Sequence, residues 1–209
     1  MAMDRYAKLE LQIRTSFRDF QVSKLSSGRK KPILLPGFEI PRAETVDLYL
    51  GPDKGTTLCL IQRSDYVTVY KHTVGQLVGV LAHFQQMDDR LLREAVRTSK
   101  AHADLKEIKQ PKVNVLKLSQ RLAEERDKGL INLALVIDMP EVGQQAKELI
   151  ANFEPVAQLL SAWLISAIKR KKVCKAVDFY AVAMGAGPDG EPKVVPMLKG
   201  LKKLADTVK

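Results

Sequence analysis

Few residues in this chain have the type and spacing for covalent chemistry. The histidines His72, His83 and His102 are far apart, and neither a His-x-x-x-His nor a Cys-x-x-Cys pair is present to hold a metal. Cys59 and Cys174 are the only cysteines, too few for a disulfide framework. Asp88-Asp89 and Glu124-Glu125 are adjacent acidic pairs. Neighbours on a helix point in different directions, and both pairs sit among arginines and lysines, so salt-bridged solvent faces account for them. The segment Gly185-Ala186-Gly187-Pro188-Asp189-Gly190 has the glycine content of a phosphate loop. Pro188 removes a needed N–H, and Glu191-Pro192 does not open a helix, so a hairpin turn is expected instead. The expectation is a protein with no catalytic residue, no metal, no cofactor and no small-molecule substrate.

Binding chemistry is better represented. Lysine and arginine number 34 against 24 aspartates and glutamates, a net charge of +10 that attracts polyanions. The excess is clustered. Lys24, Arg29, Lys30 and Lys31 share a short segment with Ser26, Ser27 and Gly28. Lys169, Arg170, Lys171, Lys172 and Lys175 form a second run, and Lys193, Lys199, Lys202, Lys203 and Lys209 a third. Such groups neutralise phosphates, and flexible neighbours let an arm order on a duplex. The bland alternatives are an acidic protein partner or a surface kept basic for solubility. The expected phosphate contacts are Arg14, Lys24, Arg29, Lys30 and Lys31, then Lys169, Arg170, Lys171 and Lys172. Gln62 and Arg63 are candidates to read bases from a strand.

These residues need elements to hold them. Tyr6, Leu9, Ile13, Phe17 and Phe20 recur at helical spacing, which predicts a helix over 4–24. Ser26 to Gly28, the basic triplet, Pro32, Pro36, Gly37 and Pro41 then describe an irregular connector. Strands are predicted at 45–50, 57–63 and 66–70, the last two joined by Ser64-Asp65 in a tight hairpin, which makes a three-stranded meander. Tyr66 and Tyr70 would share one face of it with Thr68 and could stack on bases. A helical stripe follows, with Leu77, Leu81, Phe84, Leu91 and Ala95 inward, Thr73 as N-cap and a break near 98–102. Ser119 opens a short polar helix closed by Gly129.

Residues 130–138 form an apolar run short enough for a strand. Helices follow over 140–150 and 156–170, then a strand over 177–184 and a basic helix over 196–208. Strand, helix, turn, helix is the order of a ribbon-helix-helix unit, which lays paired strands in the major groove. Only Asn132 is a good base reader there, and Asp138 would repel phosphate, so a buried central strand is favoured. The fold class expected is α+β and helix-rich, with a small antiparallel sheet packed with helices. An N-terminal helix and basic arm over 1–31 would precede a single domain over 32–209. The apolar helix at 156–170 offers Leu160, Trp163 and Leu164 as a dimer contact.

The chain is 45% hydrophobic and 28% charged, a globular mix rather than a disordered one. No run approaches the roughly 20 apolar residues of a membrane span, and the N-terminus lacks the apolar block of a secretory signal. A cytoplasmic protein with no membrane partner is expected.

The run from Leu149 through Asn152, Phe153, Pro155 and Gln158 to Leu160 follows an apolar strand and a proline. Together with Leu9-Glu10-Leu11-Gln12-Ile13-Arg14 and the later Gly28-Arg29, it resembles the AcaB-like regulators of conjugative plasmids and integrating conjugative elements. The shared stretches cover about a quarter of the chain. The resemblance implies a sequence-specific, DNA-binding transcriptional regulator of transfer genes that works on double-stranded DNA as a homodimer. It carries over no catalytic residue. Two other classes fit the same charge: an RNA-binding subunit of a ribonucleoprotein, and a non-enzymatic dimeric interaction protein.

Overall fold

A computed structural model of the chain describes residues 12–17, 33–51, 55–63, 67–105, 112–139, 174–183 and 193–196. Residues 12–17 are helical (α1). The strands are β1 (Ile33–Phe38), β2 (Val46–Leu50), β3 (Thr56–Arg63), β4 (Asn132–Met139), β5 (Ala176–Ala183) and β6 (Lys193–Pro196). Three helices lie between β3 and β4: α2 (Val67–Gln85), α3 (Asp89–Leu105) and α4 (Val115–Asp127).

The strands form one six-stranded sheet in the order β1-β2-β3-β4-β5-β6. β1, β2 and β3 are antiparallel neighbours, β3 with β4 and β4 with β5 are parallel, and β5 with β6 is antiparallel again. The sheet is therefore mixed, not the small antiparallel one expected. The ribbon-helix-helix unit is also excluded. β4 is paired along its length with β3 on one side and β5 on the other, from Asn132 onward. A strand with both edges occupied cannot pair with a second chain and lie in a groove. β4 is the buried central strand that its apolar residues favoured.

Both faces of this sheet are covered, which is why its central strands read as continuous apolar runs. On one face Leu48, Leu50, Leu58, Leu60, Leu133 and Leu135 pack with Leu77, Phe84, Leu92 and Leu122 from α2, α3 and α4. On the other, Tyr49, Cys59, Ala134, Val136, Tyr180 and Val182 pack with Ile13 and Phe17 of α1. Each fully buried leucine or phenylalanine here contributes about 1.5–3 kcal/mol.

Two strand assignments differ from the sequence expectation. Residues 33–38, assigned to an irregular connector, form β1. Pro36 is tolerated because β1 is an edge strand. Gly37, at φ 64°, absorbs the register shift between Leu35 and Phe38. Conversely Val67–Tyr70, expected as a strand, opens α2. β3 goes on to a parallel partner, and a parallel pair needs a crossover connection, so the chain turns into helices instead of a hairpin. With Tyr70 inside a helix, the strand face it was expected to share with Tyr66 does not form.

The helix break also moves. It falls between Gln85 and Asp89, not near 98–102, because Asp88 Oδ1 accepts the Leu91 N–H at 2.7 Å and caps α3. α4 starts at Asn114, whose side chain accepts the Lys117 N–H, rather than at Ser119, and ends at Gly129 with φ 63°. β5 covers most of the strand expected at 177–184. The antiparallel pairing of Ala183 with Lys193 brackets the glycine-rich segment, which itself lies outside the described residues.

Candidate functional site

Arg14, expected to grip phosphate, is spent inside the protein. Its Nε lies 2.5 Å from Asp47 Oδ2, with side-chain exposures of only 11% and 3%. Asp47 Oδ1 accepts the Gly37 N–H at 3.0 Å, and Tyr49 Oη donates to the Arg14 carbonyl at 3.4 Å. Phe17 meets Tyr49 and Tyr180 edge-on at 5.1 and 5.0 Å, sealing the pair under α1. An arginine so enclosed and neutralised is not a surface contact. Cys59, opposite Asp47 in the β2–β3 register, is also buried here. Burial pushes its thiol well up, the Asp47 charge adds to this, and Arg14 opposes it, so the thiolate nucleophile is suppressed. Cys174 is likewise pushed up to about 12 by burial, partly offset by a hydrogen bond to Ala176.

Glu125 forms a second buried polar node. Its carboxylate accepts the N–H groups of Gly55 and Thr56 at 3.2 and 2.7 Å and the Arg121 Nε at 2.7 Å. Arg121 also donates to the Gly51 carbonyl at 2.8 Å, so the two side chains clip α4 onto the β2–β3 connection. The expected role of Glu124-Glu125 as a solvent face holds for exposed Glu124 and fails for Glu125. Both nodes are closed and structural.

Among the described residues, a row of accessible cations lies on α3. Arg90, Arg93 and Arg97 are exposed and Lys100 is half-exposed. Their spacing of three, four and three places all four within an arc of roughly 80° and along roughly 15 Å of helix. The opposite side of α3 holds Leu92, Ala95, Val96 and Ser99 in the core, and the Ser99 hydroxyl donates to the Pro36 carbonyl at 2.7 Å. Because α3 lies along β1 and against α4, its basic side faces outward as a rigid row. Arg97 contacts Glu94 at 2.6 Å and Lys100 contacts Asp104 at 3.8 Å. Exposed pairs of this kind are worth about 0–1 kcal/mol and yield readily to a phosphate. Arg90 and Arg93 have no ion pair among the described residues. The sequence spacing already places Arg90, Arg93 and Arg97 mostly outside the apolar stripe, but it did not mark them as a binding row with Lys100.

Gln62 and Arg63 lie on β3, where the backbone pairs with Ile137 and Asp138. Lys24, Arg29, Lys30, Lys31, Lys169, Arg170, Lys171 and Lys172 lie outside the described residues, as do Leu160, Trp163 and Leu164. Among the described residues no group of His, Cys, Asp and Glu could hold a metal, and no helix is long and apolar enough to cross a membrane. The described residues hold 15 Lys and Arg against 12 Asp and Glu, so the larger share of the net charge of +10 lies in the rest of the sequence. No protein-family model, curated protein or solved structure matches the chain.

Proposed function

We propose that this protein is a non-enzymatic, double-stranded DNA-binding transcriptional regulator that acts as a homodimer, as the AcaB-like resemblance implies. The observation that carries the proposal is the outward row of Arg90, Arg93, Arg97 and Lys100 on a helix whose other side is locked into the core. Such a row meets a duplex backbone without reordering and supplies sequence-independent affinity through counterion release. The lysine and arginine clusters at 24–31, 169–175 and 193–209 add to the same field. Tyr70 lies inside α2, which removes the strand face expected to stack RNA bases.

The test is fluorescence anisotropy with duplex DNA from the region upstream of the protein's own gene, a scrambled duplex and a single-stranded RNA, each across salt. A specific duplex bound more tightly than the scramble, with both weakening as salt rises, is the expected result. The variant with Arg90, Arg93, Arg97 and Lys100 all changed to Gln should bind every duplex more weakly. Its log–log salt slope should be shallower by up to about 0.9 for each phosphate no longer neutralised. Preference for the RNA would overturn the assignment to DNA. Absence of binding at low salt would end the nucleic-acid reading altogether.

A further inference from the structure

The turn between β1 and β2 holds a residue in a conformation its side chain disfavours. Ile40-Pro41-Arg42-Ala43 closes with the Ala43 N–H donating to the Ile40 carbonyl at 3.0 Å. Pro41 stands at the second position, and Arg42 at the third has φ 65°. A four-residue turn with proline second and positive φ third has the type II pattern, whose third position favours glycine or asparagine. Arg42 is the only non-glycine residue with positive φ among the described residues. It is exposed and has no ion pair there. Strain of this sort persists where a side chain has work to do, and an arginine on a turn tip is a donor fork for an oxyanion.

The fold also places this turn. Ser99 of α3 holds the Pro36 carbonyl, and His102 Nδ1 lies 3.1 Å from where a Cβ on Gly37 would stand. The C-terminal part of α3, which carries Lys100, therefore sits against the part of β1 that leads directly into the Arg42 turn. Two carboxylates flank the tip, Glu39 and Glu44. Glu44 accepts a hydrogen bond from Gln76 of α2 at 2.7 Å, which ties it to the helix.

We propose that Arg42 is a DNA phosphate contact that extends the α3 row beyond Lys100, and that its left-handed backbone is retained for that contact. This inference rests on the DNA-binding reading above. The test compares wild type with Arg42→Gly and Arg42→Ala by thermal unfolding and by duplex titration across salt. Glycine removes the strain and the charge together, so Arg42→Gly should raise the unfolding midpoint while weakening binding to all duplexes and reducing the salt slope by about one. Arg42→Ala should weaken binding equally without the gain in midpoint. Wild-type affinity and slope in both variants, with wild-type protein binding DNA, would overturn the role of Arg42 alone. No duplex binding by wild type would overturn the DNA reading and this inference together.

Discussion

Glu125 shows how one carboxylate acquires a structural role through its surroundings. Burial alone would raise its pKa, but the hydrogen bonds and charge of Thr56, Arg121 and Gly55 outweigh that and hold it below its ordinary 4.5. A carboxyl depressed in the folded state contributes stability that is present above its unfolded value and is lost as pH falls from 4.5 through the folded value. Glu125→Gln should therefore show a shallower loss of urea-unfolding midpoint on acidification than wild type, and identical pH profiles would remove Glu125 as a source of acid sensitivity. Asp47 makes a different point, because its partner is also enclosed. Asp47→Ala removes the carboxylate that holds the Arg14 guanidinium and the Gly37 N–H, and should cost about 3–5 kcal/mol. The double change Arg14→Met with Asp47→Leu should cost far less. Equilibrium denaturation of both variants checks this, and equal destabilisation would mean that the pair is not acting as a unit.

Among the elements, α3 illustrates a boundary set by a single side chain. The apolar stripe runs from Leu77 to Ala95 without an obvious interruption, yet the chain breaks after Gln85. Asp88 satisfies the Leu91 N–H, and buried Met87 fixes the corner, where its carbonyl accepts a hydrogen bond from Arg126 of α4. Asp88→Ala should cost about 1 kcal/mol. It should also speed amide exchange in the first turn of α3, and unaltered protection at Leu91 would mean that the corner, not the cap, sets the boundary. β1 is the reverse case, an element hidden by its own irregularities. Pro36 and Gly37 are turn residues by composition, and only an edge position with a bulge makes them compatible with a strand. Val67–Tyr70 misled in the opposite sense, since β-branched and aromatic residues fit a strand wherever one is built, and here the crossover required a helix.

At the scale of the whole molecule, the larger share of the basic excess lies outside the described residues. The described residues carry 15 Lys and Arg against 12 Asp and Glu, a smaller excess than that of the remaining sequence. As the phosphate contacts expected from their clustering, Arg29, Lys30 and Lys31 changed together to Ala should weaken duplex binding and lower the salt slope by up to about three, with the unfolding midpoint unchanged. A titration beside a melting curve checks both halves. Unaltered binding would make that cluster a solvated surface, and a large drop in midpoint would mean that it supports the fold.

The sequence by itself determined what depends on near neighbours along the chain. β2, β3 and β4 follow from runs of branched and aliphatic residues bounded by turns, the helical stretch of α2 and α3 from apolar spacing, the end of α4 from Gly129, and the attraction to polyanions from net charge. Tertiary structure decided what depends on partners far away. Arg14 and Asp47 are 33 residues apart, Thr56 and Glu125 are 69 apart, and Arg121 and Gly51 are 70 apart. Whether an arginine faces DNA or an aspartate, or a glutamate faces water or two backbone N–H groups, is set by which surface folds over it. For β4, the apolar run already favoured a buried strand over a dimer ribbon, and pairing with β3 and β5 on its two edges decides it. Period and charge are local properties, whereas burial and pairing are properties of the assembled sheet.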